Sequence, residues 1–135
     1  MENSFKCFKI SEEQKKSFNE NIEYIIDNTN KNLDYLNKNE KKKFFELSKE
    51  QVIQYFEKLL STAKNWQKSF NDNNIKKIQE EYKETESYVS ELELCLADND
   101  TIFHCEGISY SLYQIGKILV KILKNENMNG DANYE

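Results

Sequence analysis

Apolar residues recur three and four positions apart through four successive stretches of this chain, and no proline interrupts any of them. That spacing places the side chains of each stretch on one face of an α-helix, a stripe that must be buried against another helix. Phe18, Ile22, Ile25, Ile26, Thr29, Leu33 and Leu36 form the first stripe, and Val52, Tyr55, Phe56, Leu59, Ala63, Trp66 and Phe70 the second. The third, Ile75, Ile78, Tyr82, Thr85, Val89, Leu92 and Leu96, alternates steps of three and four over 22 residues without a break. The fourth is broader: Ile108, Leu112, Ile115, Ile118, Leu119, Ile122 and Leu123. Only three glycines are present, at positions 107, 116 and 130. A sheet protein with tight turns needs more glycine and proline than this.

The helix boundaries follow from local chemistry. Ser11 with Gln14, and Ser48 with Gln51, each have the spacing of a capping box. The first helix is expected to run from Ser11 to about Lys38 and the second from Ser48, or from near Glu40, to about Phe70. Asn37 to Lys43, with its Lys41–Lys42–Lys43 run, reads as a solvated connection. Asn71-Asp72-Asn73-Asn74 signals a turn and the start of the third helix, and Ala97 to Asp100 its end. The fourth helix is expected from near Thr101 to about Asn125. There Gly107 would break or kink the first turns and Gly116 would let a neighbour approach closely. Residues 1–10, with Phe5, Phe8 and Ile10, read as a strap docked on the helices, and 126–135 as a flexible, disordered tail. The expected fold is all-α: an antiparallel four-helix bundle over residues 1–125, monomeric or dimerising through the third stripe. A chain of 135 residues buries roughly 68% of its unfolded surface, enough for one core without staples.

Composition narrows the function by exclusion. All 19 basic residues are lysine, and the net charge is −5. Without a guanidinium fork, and with negative charge in excess, nucleic-acid binding is disfavoured. No stretch approaches the ~20 apolar residues of a membrane span, and the N-terminal segment lacks a signal-peptide apolar run. The odd set Cys7, Cys95 and Cys105 suits reduced thiols in a cytoplasmic protein. No phosphate-cradling glycine loop or nucleophile elbow occurs. The single histidine, His104, excludes the usual di-iron helical site. No cofactor is expected. Cys95, His104, Cys105 and Glu106 together offer sulfur, nitrogen and oxygen donors, but their spacing matches no standard zinc arrangement. The expectation is therefore of a non-enzymatic protein, with an internal metal or ligand site near Cys95 and His104, or a structural dimerising adaptor, as the alternative.

One stretch stands out. Between Gln79 and Glu106 nine acids face Lys83 alone, a charge of −8 over 28 residues. With the third stripe in the core, Glu80, Glu84 and Glu91 point outward, with Glu81 beside them, Tyr88 flanking them and Leu94 on the outer face. Such a surface would attract a basic partner protein over distance and hold it by apolar contact. The sequence thus points to a protein-binding module that masks a basic partner, as an immunity protein or small inhibitor does. Its expected partner-binding residues are Glu80, Glu81, Glu84, Tyr88, Glu91 and Leu94.

Overall fold

The computed structural model describes residues 7–44, 46–96 and 105–132, with 125–132 as backbone alone. It is all-α apart from one short hairpin. Helix α1 spans Glu12–Lys38, strand β1 Lys43–Phe44, strand β2 Leu47–Ser48, helix α2 Lys49–Asn71, helix α3 Ile75–Cys95 and helix α4 Cys105–Ala132. Helix α1 packs along α2 and α4, and α3 packs along the same two helices.

Both expected capping boxes form. The Gln14 amide donates to Ser11 Oγ at 3.0 Å while the Ser11 amide donates to Gln14 Oε1 at 2.9 Å. At the second, the corresponding distances are 3.2 Å and 2.8 Å. Each box satisfies two backbone donors that a helix start otherwise leaves open, which is why the two helices begin where they do. The Ser48 box also stops α2 from extending back toward Glu40. Upstream of it the chain pairs as an antiparallel hairpin, with Lys43 opposite Ser48 and Phe44 opposite Leu47. The connection over Asn37 to Lys43 is solvated as expected, and the strand pair that closes it delivers Phe44, only 1% exposed, to the core. Two residues per strand are too few for a period-two pattern to be readable.

The α2–α3 turn is built on asparagine. Asn73 adopts φ 62°, the left-handed conformation that glycine usually supplies. The Asn74 amide donates to the Ser69 carbonyl (2.7 Å) and the Asn73 amide to that of Phe70 (3.0 Å). This pair of bonds is a Schellman closure. Asparagine serves better than glycine here because its side chain has a second task. Asn73 Oδ1 accepts from the Phe8 amide at 2.7 Å, and its Nδ2 donates to the Phe8 carbonyl at 2.8 Å. The side-chain amide thereby holds the strap as a strand neighbour would, and Phe8 is 5% exposed in the core. Phe5, the other aromatic expected in the strap, lies outside the described residues, as does the turn at 97–100.

The four stripes meet as their spacing requires. Phe18 of α1 stacks on Phe70 of α2 with centroids 3.8 Å apart. Ile22, Leu36, Val52, Phe56, Ile75, Ile78, Leu96, Ile115 and Ile122 are fully enclosed. Gly107 does not interrupt α4; it lies inside the helix, where a side chain would collide with the Tyr24 ring of α1. Helical backbone continues to Ala132, past the limit near Asn125 and into the segment expected to be a disordered tail. Once a helix exists each added residue gains a hydrogen bond at little nucleation cost, and no proline stands in the way.

Helix α1 also buries polar groups that its stripe did not include. Asn28 is 8% and Asn32 1% exposed. Asn28 Nδ2 donates to the Tyr24 carbonyl at 2.9 Å. Thr29 Oγ1 and both amide atoms of Asn32 have no hydrogen-bond partner among the described residues. A buried polar atom without a partner costs about 1–3 kcal/mol. Thr29→Val replaces the hydroxyl by a methyl of equal size, so it is expected to raise stability by about 1 kcal/mol. In urea unfolding this shows as a higher midpoint with an unchanged slope.

Candidate functional site

Helix α3 presents different chemistry on its two flanks. Its outward side carries the carboxylates at the centre of the sequence expectation, with Glu84 and Glu91 turned toward α2 and Glu80 toward α4. Glu80, Glu84 and Glu91 are exposed, at steps of four and seven that keep them near one line on the helix. Leu94 is 77% exposed beside them. Two of these carboxylates make contacts to α2. Glu84 stands 3.8 Å from Lys58 Nζ. Glu91 accepts a hydrogen bond from the Tyr55 hydroxyl. That bond, followed by desolvation and the Glu91 charge, raises the Tyr55 pKa above its ordinary value.

Two of the six expected residues do not belong to an open surface. Tyr88 is 7% exposed, and its hydroxyl donates to Thr62 Oγ1 at 3.1 Å. Its ring lies 6.2 Å from that of Tyr55, with Lys58 Nζ 4.9 Å above it. The physical reason is stripe width. A helix between two neighbours buries an arc of 100° or more, wide enough to enclose Tyr88 together with Val89. Glu81 is half-buried and accepts from Trp66 Nε1 at 2.9 Å. An enclosed indole N–H needs an acceptor, so this carboxylate serves the core.

Of the four residues weighed as metal ligands, His104 lies outside the described residues. Cys105 is buried, Cys95 half-buried and Glu106 exposed. Burial first, then the charges of Glu91 and Glu46, push the Cys95 thiol pKa up, which lowers its thiolate fraction and its reactivity. No group of three or more His, Cys, Asp or Glu converges on a metal position among the described residues.

The flank of α3 toward α4 forms a feature that the sequence expectation missed. Tyr82 crosses to α4, where its hydroxyl donates to the Leu112 carbonyl at 2.8 Å. Its ring occupies the notch at Gly116, where a Cβ would lie 2.7 Å from Tyr82 Cζ. On the other side the Tyr82 ring faces Trp66, centroids 6.1 Å apart. Outside this crossing the two helices leave an open groove of 790 Å³. Leu119, Leu123 and Tyr82 contribute to its lining, with Tyr113 and Val120, 55% and 61% exposed, along the α4 side. Lys83, Lys117, Lys121 and Lys124 also line it, against Glu80 as the one acid in the lining among the described residues. The signal was present in the sequence. Tyr110, Tyr113 and Val120 fall off the fourth stripe, and no acidic residue occurs between Gly107 and Lys124.

Comparison with protein-family models, curated proteins and solved structures finds no match to this chain.

Tyr82 gives a direct probe of the α3–α4 contact. Desolvation, then the Glu86 charge and Tyr113, raise its pKa from 10.0 to about 12. The folded chain therefore holds the phenol proton more tightly than the unfolded chain does. The resulting stabilisation is complete below pH 10 and is lost as pH rises from 10 to about 12. In urea melts across that range, Tyr82→Phe is expected to flatten the alkaline loss of stability. The tyrosinate absorbance titration of the folded protein should lose its highest-pH component in the same variant.

Proposed function

We propose that this chain is a non-enzymatic binding protein, an antiparallel four-helix bundle whose α2–α3 edge masks a basic site on a partner protein. The observation that carries the reading is the exposed line Glu80, Glu84 and Glu91 with the 77% exposed Leu94 at its end. Exposed carboxylates, even where Lys58 and Tyr55 contact two of them, set up a field that draws in a cationic surface, and a leucine beside them offers apolar contact once water is displaced. Glu81 and Tyr88 act from beneath as packing residues. The mode of action resembles that of an immunity protein or small inhibitor, in which a rigid surface covers a site and no chemistry is performed. Three thiols without disulfides accord with a reducing compartment, and the reading places the protein in the cytoplasm.

The test is capture from an extract of the native host on immobilised protein, comparing wild type with Glu84→Lys/Glu91→Lys. A basic polypeptide is expected on the wild-type resin, retained less as salt rises, with an affinity roughly tenfold lower for the reversed variant. Glu91→Gln, which keeps an acceptor for Tyr55, separates loss of charge from loss of that hydrogen bond. Equal retention by wild type and the reversed variant, with unchanged helicity, would rule the reading out.

A further inference from the structure

The other flank of α3 carries a second exposed surface, which shares only Glu80 with the acidic edge. We propose that the groove between α3 and α4 receives an amphipathic helix of a partner protein, one that carries carboxylates along the sides of its apolar stripe. The apolar part of the argument is exposure. Tyr113 and Val120 stand in water beside Leu119 and Leu123, in a groove of 790 Å³. Exposed aromatic and aliphatic groups gathered in a concavity mark a docking site more strongly than the same residues scattered singly.

Charge selects the occupant. Lys83 lines the groove from α3, and Lys117, Lys121 and Lys124 line it from α4; among the described residues Glu80 is the one acid in the lining, and Glu86 adds a negative charge close enough to act on Tyr82. Lys117, Lys121 and Lys124 follow one another at helical steps of four and three, so positive charge is spread along the groove instead of gathered at one end. A ligand with a single anionic head would use one of these lysines and leave the others facing apolar surface. A helix with acids repeated along its flanks meets them all. From Tyr113 to Lys124 the α4 side extends about 16 Å, which corresponds to about three turns of a guest helix. A second copy of this chain fits poorly. The same groove would bring lysine against lysine, and the acidic edge of α3 offers Leu94 as its one large exposed apolar group. Docking of an apolar helical face into a groove between two helices is a recurring recognition mode.

The probe is a synthetic helix about four turns long, with leucines on one face and glutamates on both flanks. It is titrated calorimetrically and by amide chemical shift into the intact protein, beside a counterpart in which every glutamate is lysine. The acidic helix is expected to bind saturably and to shift the amides of Tyr113, Val120 and Lys83. Its lysine counterpart should bind at least about tenfold more weakly, the sum of several weak exposed pairs. Lys117→Glu/Lys121→Glu, at two exposed positions, should reverse that preference with unchanged helicity. Val120→Ser, which removes apolar contact without adding charge, should weaken both peptides. Four outcomes would overturn the proposal: equal affinity for the two peptides, no saturable binding of the acidic one, an unchanged preference in the reversed variant, or saturable binding of dodecanoate alone. None of these variants touches Glu84 or Glu91, so failure here leaves the acidic-edge reading intact.

Discussion

Tyr82 is the side chain through which three helices are held in one arrangement. Its ring faces Trp66 of α2, its hydroxyl is bonded to the backbone of α4, and its body fills the notch left by Gly116. Trp66 in turn bonds to Glu81, the residue before Tyr82 on α3. Each contact fixes rotation as well as distance. A helix can slide or roll under a purely apolar stripe at modest cost, because leucine and isoleucine pack in many ways. A phenol that must reach one carbonyl through one glycine cannot. The rotation of α3 set here decides which of its residues meet water and which meet α2 or α4.

Much of the fold was legible in the sequence because it depends on repeating local rules. The four stripes, both capping boxes and the asparagine-rich turn all rest on interactions within about four residues of one another, and the structure contains them. What was not legible depends on contacts across the chain. Phe44 enters the core on a hairpin too short to show alternation. Asn28 and Asn32 are buried although their chemistry argues for the surface. Asn73 clamps Phe8 from 65 residues away. Helix propensity and capping carry no information about such pairings.

The candidate surfaces divide in the same way. Exposure of Glu80, Glu84, Glu91 and Leu94 followed from placing the third stripe inward. The burial of Tyr88 and the half-burial of Glu81 do not follow from periodicity, which fixes an angle but not the width of the buried arc; the width is set by how closely α2 approaches. The groove was missed because no single segment contains it. Lys83 lies in a stretch that counts as strongly acidic, and Lys117, Lys121 and Lys124 lie in one dominated by apolar residues. The rim emerges only when α3 and α4 are set side by side.

Net charge therefore describes this molecule poorly. At −5 overall, it still gathers four lysines around one groove and sets Glu84 and Glu91 along the opposite flank of the same helix. The ionic contacts formed within the chain by these groups are few and exposed, such as Lys58 with Glu84, and pairs of that kind contribute little to stability. Folding alone gives little reason to sort the charges so. Had the lysines served only to solvate α4, they would be as effective interleaved with acids, and Tyr113 and Val120 would not need to stand exposed between them. Separation of sign across one helix, with apolar groups left open on both flanks, is what the two proposed surfaces have in common. The Tyr82–Gly116 contact keeps Glu84 and Glu91 away from that groove, because a roll of α3 toward α4 would carry them to its lysines.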